Sequence, residues 1–144
     1  MYLWDANILR AFGQGHTTLR LYLLRVPWSE IALPSVVVAE VLRGRCDFAL
    51  KATPAEPPLA HQRLLDTQQM LARFHVVVFD ASCATMMERF RQQHRRRKRY
   101  ADLMIAAMVA AGQHILVTRN YADFVDVLPA AQLANWIDDP PDAS

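Results

Sequence analysis

Two adjoining runs decide the fold: Arg99-Tyr100-Ala101-Asp102-Leu103-Met104-Ile105-Ala106-Ala107, and then Ile115-Leu116-Val117-Thr118-Arg119-Asn120-Tyr121-Ala122-Asp123-Phe124. The first reads as a helix. Asp102 stands in its opening turn, an almost unbroken apolar run continues to Ala111, and Gly112 is a natural stop. Ile115 to Val117 is short, apolar and largely β-branched, the pattern of a buried parallel strand. The polar turn after it carries a second acid, Asp123. Ligands of open α/β sheets bind at the carboxyl ends of strands, so both acids fall near one edge of one sheet.

Working outward, the same alternation recurs. Met1 to Trp4 is an apolar run that ends directly in Asp5, and Ala6 to Leu9 turns into a helix broken by Gly13 and Gly15. A second helix runs from Thr17 or Thr18 to about Arg25, with apolar positions Leu19 to Leu24 on more than one face. Ile31 to Leu33 is a strand, and Ser35 is a candidate N-cap. Val36 to Val38 favours a strand by local propensity. Ala39 to Gly44 reads as a helix, so Val36 to Arg43 is placed on a helix ending at Gly44, with Glu40 in its middle. Thr53 to Pro58 is the clearest loop. A helix follows from about Leu59 to Ala72. Phe74 to Phe79 is the strongest strand and ends in Asp80. Ala81 to about Arg95 is helical, and Leu133 to Trp136 adds an edge strand. Strand–helix alternation of this kind argues for βαβ units around a parallel sheet. The expected organisation is one domain over residues 1–137 and a flexible tail over 138–144.

Composition narrows the class. The chain has 144 residues, enough for one domain with a substantial core. Net charge is only +2, but basic residues concentrate between Arg89 and Arg99. Cys46 and Cys83 show neither metal spacing nor a disulfide framework. His16, His61, His75, His94 and His114 do not cluster in sequence either. No apolar run reaches membrane-spanning length and no signal peptide is visible, so a cytoplasmic protein without membrane contact is expected.

Asp5, Glu40, Asp102 and Asp123 each lie beside apolar residues. A lone carboxylate in such a setting is costly unless it is paired, capped or coordinated. Each has an ordinary structural reading: Asp5 as an N-cap, Asp102 as a helix-dipole acid, Asp123 in a turn, and Glu40 bridged to Arg43. If the strands run parallel, the four converge. Hard oxygen donors of this kind suit Mg²⁺ or Mn²⁺ and not zinc.

Four segments carry a resemblance: Tyr2-Leu3-Trp4-Asp5-Ala6-Asn7-Ile8-Leu9, Val38-Ala39-Glu40-Val41-Leu42-Arg43-Gly44, Ala101 to Ala107, and Leu116 to Phe124. In order and content they resemble the four motifs of PIN-domain ribonucleases, and at this chain length the VapC toxins of VapBC toxin–antitoxin pairs. The resemblance implies a three-layer α/β/α sandwich with a central parallel sheet. It implies a Mg²⁺- or Mn²⁺-dependent endoribonuclease with Asp5, Glu40 and Asp102 as core ligands, completed by Asp123. Asn7, Thr118 and Asn120 match the supporting polar positions. It further implies a VapB-like antitoxin that holds the toxin inactive, and a homodimer or a hetero-oligomer with that antitoxin. Two features depart from the pattern. Trp4 is bulkier than the usual aliphatic residue before the first acid, and the segment before Asp102 is rich in arginine and lacks a common glycine.

That basic segment, Arg95, Arg96, Arg97 and Arg99, reads either as a solvated helix end or as a phosphate-binding rim for RNA. A phosphoacceptor receiver domain has similar length and an acidic pocket. It would require paired acids after the first strand and a lysine late in the sheet, and neither is present. The alternative kept open is a PIN-fold RNA nuclease or RNA-binding module outside a toxin–antitoxin pair.

Overall fold

The computed structural model describes residues 1–51, 53–54, 56–93 and 99–143. Five strands form one sheet: β1 (Tyr2–Trp4), β2 (Ile31–Pro34), β3 (His75–Val77), β4 (Ile115–Val117) and β5 (Leu133–Ala134). Their order is β3-β2-β1-β4-β5, and every pairing is parallel. The helices are α1 (Ala6–Gly13), α2 (Thr17–Leu23), α3 (Ser35–Lys51), α4 (Pro57–Leu71), α5 (Ala81–Gln93) and α6 (Tyr100–Ala111). The chain steps outward from β1 to β3 and then crosses back to β4. Right-handed crossovers assign the helices of the outward steps to one face and α5 with α6 to the other, which gives the three-layer α/β/α sandwich. The reversal happens beside β1, the central strand, and α/β sheets bind their ligands at such a switch point.

The core is built where the sequence is most apolar. Leu3, Trp4, Leu33, Leu116 and Val117 are fully buried in the sheet, and α6 buries Leu103 and Ile105 to Val109. Trp4 finds its space in an aromatic box. Its ring lies 5.6 Å from Phe12, 5.4 Å from Phe74, 6.3 Å from Trp28 and 6.2 Å from Trp136, mostly edge to face. Such pairs add to the stabilisation of simple burial. The bulky residue before Asp5 is thus accommodated by rings from α1, the segment before β2, the approach to β3 and the segment after β5.

Two boundaries differ clearly from expectation. α3 does not stop at Gly44 but continues to Lys51. A helical glycine costs about 1 kcal/mol relative to alanine, and packing of α3 against α4 offsets that cost. β3 is shorter than the apolar run Phe74 to Phe79, because it lies at the sheet edge and Val78 is already exposed. The Ser35 hydroxyl accepts the Phe79 N–H at 3.1 Å and so ties the start of α3 to the end of β3. Residues 94–95 of the expected long helix lie outside the described residues. Past β5, Arg119 grips Asp138 with two hydrogen bonds of 3.0 and 2.9 Å, and the Tyr22 hydroxyl donates to the Asp139 carbonyl at 2.7 Å. Among the described residues no helix is long and apolar enough to cross a membrane.

Candidate active site

Asp5 is the site's fixed point. It follows β1 and caps α1, its Oδ1 accepting the Ile8 N–H at 3.0 Å. Its Oδ2 accepts the Thr118 hydroxyl at 2.6 Å. Thr118 is fully buried just past β4, so this bond ties the ends of two adjacent central strands together. The Thr118 oxygen also accepts the backbone N–H of Asn120 at 3.0 Å, which shapes the turn leading to Asp123. The capping reading of Asp5 is therefore correct, and it leaves room for a functional one, since each carboxylate oxygen keeps further lone-pair capacity.

Asp5 is 7% exposed. Burial pushes its pKa above the ordinary carboxylate value. The bonds from Thr118 and from the Ile8 and Asn7 N–H groups pull downward, and the nearby charge of Asp102 adds to the rise. Asp5 and Asp102 thus share a corner in which the charge of Asp102 is felt by the buried Asp5. Asp102 reaches it from the first turn of α6.

Glu40 projects from α3, half-buried. Its Oε2 lies 3.8 Å from Nη2 of Arg99, the residue that caps the start of α6. Among the described residues Glu40 pairs with Arg99 and not with Arg43, the partner that spacing along α3 offers. An ion pair this long, with the arginine side chain 76% exposed, contributes about 0–1 kcal/mol. Glu40 also borders a groove of about 700 Å³ between α1, α3 and α4. Its walls are stripes of helical spacing: Ala6, Leu9, Arg10 and Gly13 on α1, and Glu40, Val41, Gly44 and Arg45 on α3. Arg10 and Arg45, which the sequence did not single out, line this groove, and Arg45 donates its Nε–H to the Thr67 hydroxyl at 3.1 Å.

The structure thus brings Asp5, Asp102 and Thr118 together, and links Glu40 to the same helix end through Arg99. Asp123 lies in a short 3-10 turn, Tyr121–Asp123, at the carboxyl end of β4, and is exposed. Asn7 and Asn120 are exposed at the same edge and take part through backbone N–H groups. Arg95, Arg96 and Arg97 lie outside the described residues. Among the described residues, no three acidic, histidine or cysteine side chains stand close enough to hold an ion as placed. The donor set nevertheless fits a hard divalent cation: it is all oxygen, it contains a buried acid with a second acid's charge nearby that a cation would relieve, and an arginine already stands against its third acid.

The PIN-domain profile matches residues 2–127. The chain belongs to the PIN-domain family. The site acids Asp5, Glu40, Asp102 and Asp123 all fall within the matched span. Among solved structures, this PIN chain is similar to DNA-bound VapBC from Salmonella typhimurium, 19% identical, with a TM-score of 0.75 over 94% of this chain and 97% of that one. It is also similar to VapBC2 from Rickettsia felis bound to a promoter DNA fragment, 26% identical, with a TM-score of 0.69 over 94% and 98%. A third, FitAcB from Neisseria gonorrhoeae, is 23% identical, with a TM-score of 0.71 over 94% and 98%. A comparison with curated protein sequences gives no match.

Proposed function

We propose that this PIN domain is a metal-dependent endoribonuclease, the VapC-type toxin of a type II toxin–antitoxin pair. The observation that carries the reading is the Asp5–Asp102 corner at the switch point of the sheet, with Glu40 of α3 paired to Arg99 at the start of the Asp102 helix. Asp5, Glu40 and Asp102 would hold Mg²⁺ or Mn²⁺, with Asp123 completing the acidic edge. The metal supplies a water of lowered pKa and positive charge against the phosphate oxygens. The chain's own residues do the rest. Thr118 and the α1 backbone fix the Asp5 carboxylate in one orientation, as outer partners of metal ligands do. The carboxylates position the reacting groups, and one of them accepts the proton released by the attacking water. Arg10 and Arg45 beside the groove, and Arg95, Arg96, Arg97 and Arg99 before α6, supply cations for the RNA backbone.

The antitoxin proposal rests on likeness to VapBC and FitAB complexes. The groove beside Glu40, with Leu9, Val41 and Met70 among its apolar walls, suits an inhibitory segment placed next to the acids. Leu21 and Leu24 of the α2 region stay exposed, whereas Val36 and Val37 are buried, so of those two apolar stretches it is α2 that keeps surface for partners or a second copy.

The test is cleavage of purified total RNA with Mg²⁺ or Mn²⁺, with chelator and with Asp102→Asn as controls. Discrete new 5′-phosphate ends that vanish in both controls support the enzyme. No cleavage by the folded, antitoxin-free, metal-loaded protein across several RNA classes leaves the RNA-binding-module reading. Cleavage that survives Asp102→Asn means that the site is wrongly assigned.

A further inference from the structure

Glu40 enters the acid set already paired. Its partner, Arg99, is the residue from which α6 starts, and Asp102 lies in the first turn of the same helix. A cation at a helix N-terminus is electrostatically misplaced, because the helix end is itself positive. Glu40 is the anion that stands against it. From the other side, the Glu40 side chain is only 27% exposed, so its carboxylate is costly to leave bare. Each charge answers a need of the other.

A divalent ion shared by Asp5, Asp102 and Glu40 makes the same demand on Glu40. The ion and the guanidinium compete for that carboxylate, since the two positive charges repel each other and an exposed ion pair returns only about 0–1 kcal/mol. As placed, Glu40 serves the arginine. We propose that Arg99 is a built-in counter-ion of Glu40, which occupies the carboxylate in the metal-free protein and is displaced when metal binds. The inference rests on the metal-dependent reading above and adds a regulation to it. Arg99 has somewhere to go, because its side chain is 76% exposed. Once displaced, its guanidinium stands free next to the acids, where a phosphate of the substrate meets it. Metal arrival and exposure of a phosphate-binding group become one event.

The experiment is a calorimetric Mn²⁺ titration of the full chain as wild type, Arg99→Gln, Arg43→Gln and Asp102→Asn. If the pair closes half to four-fifths of molecules, Arg99→Gln binds Mn²⁺ about two- to fivefold more tightly than wild type. Arg43→Gln removes an equal charge from the Glu40 helix without touching the pair, and is expected to change affinity less. Raising the ionic strength weakens an exposed pair, so the ratio between wild type and Arg99→Gln is expected to shrink with added salt. Equal effects of Arg99→Gln and Arg43→Gln, or weaker Mn²⁺ binding by Arg99→Gln, overturn the proposal. If wild-type binding is lost in Asp102→Asn but unchanged in Arg99→Gln, the counter-ion fails and the metal site stands. If neither wild type nor Arg99→Gln binds Mn²⁺, both fail.

Discussion

Asp5 and Asp80 are built alike. Each ends an apolar run, Tyr2-Leu3-Trp4 or Val76 to Phe79, and each precedes a helix. Each offers Oδ1 to the backbone N–H three residues on, Ile8 at 3.0 Å or Cys83 at 3.1 Å. Each accepts a hydroxyl at 2.6 Å, from Thr118 or from Ser82. Their titrations nevertheless move in opposite directions. Burial raises the Asp5 carboxyl, while the Ser82 and Cys83 bonds pull exposed Asp80 down to about 2. What differs is topology. β1 is the centre of the sheet and β3 is its edge. The hydroxyl partner of Asp5 comes from the end of β4, 113 residues away, and that of Asp80 from two residues on. One local motif becomes a helix cap in water at the edge, and an unhydrated acid beside a second acid at the switch point.

The sharpest way to break this contrast is to make the same change twice. Asp5→Asn keeps a capping oxygen and removes one charge; we expect it to reduce RNA cleavage at least about a hundredfold, since it withdraws a core ligand. Asp80→Asn is expected to leave cleavage within about twofold. Initial rates on one labelled RNA decide it. Comparable losses at both positions would mean that the switch-point argument has misplaced the chemistry.

Local sequence could not have told these two acids apart. The run before Asp80 is the stronger strand by propensity, yet it forms an edge strand no longer than β1. Only the strand order ranks the two sites, and that order is decided by contacts far apart in the chain. The resemblance of the Asp5 segment to a PIN motif supplied what periodicity lacked. The order of the helices and strands was legible because Ile115 to Val117, and Leu103 to Ala111, are too apolar to lie elsewhere than inside. The end of α3 was not, because Gly44 stops a helix only when nothing holds the next turns, and α4 holds them. The pairing of Glu40 with Arg99 was also hidden: spacing pointed to Arg43, and the true partner stands 59 positions on, brought in by packing of α3 against α6.

A second contrast follows the hydroxyls. Thr118→Val keeps the shape of a buried side chain but removes the donor to Asp5 and the acceptor for the Asn120 N–H. Outer partners of metal-holding groups are worth about ten- to a hundredfold, so cleavage is expected to fall by that much. Ser82→Ala removes the equivalent donor from Asp80. It should leave cleavage and Mn²⁺ affinity unchanged. Equal rates for Thr118→Val and wild type would show that Asp5 needs no orientation from β4.

Smaller and of opposite sign are the expected effects on stability. Without metal, Asp5→Asn relieves a desolvated charge next to Asp102, and we expect the melting temperature to rise by about 2–4 °C, the equivalent of about 1 kcal/mol. Asp80→Asn gives up a charge favoured by its bonds and by the α5 N-terminus, so its melting temperature should drop slightly. Adding Mn²⁺ is expected to raise the melting temperature of wild type and not that of Asp5→Asn, because only a state that binds the ion is stabilised by it.

The smallest effect is the shape of stability against pH, and its sign separates the two acids without any assay of function. Asp80 has a folded pKa of about 2 against an ordinary 3.8. Between those values the unfolded chain holds more protons, so stability rises with pH through that window and is fully present above it. The deficit of Asp80→Asn should therefore close as pH falls from 4 to about 2. Asp5 has a folded pKa above 3.8, so it is the folded chain that holds the extra proton. Its contribution declines as pH rises beyond 3.8, and the advantage of Asp5→Asn should open over that range and then stay level. Urea midpoints of the three proteins in metal-free buffers from pH 2 to 7 measure both differences. Two curves that bend the same way would mean that Asp5 is hydrated much as Asp80 is, and that the central corner does not hold a buried charge.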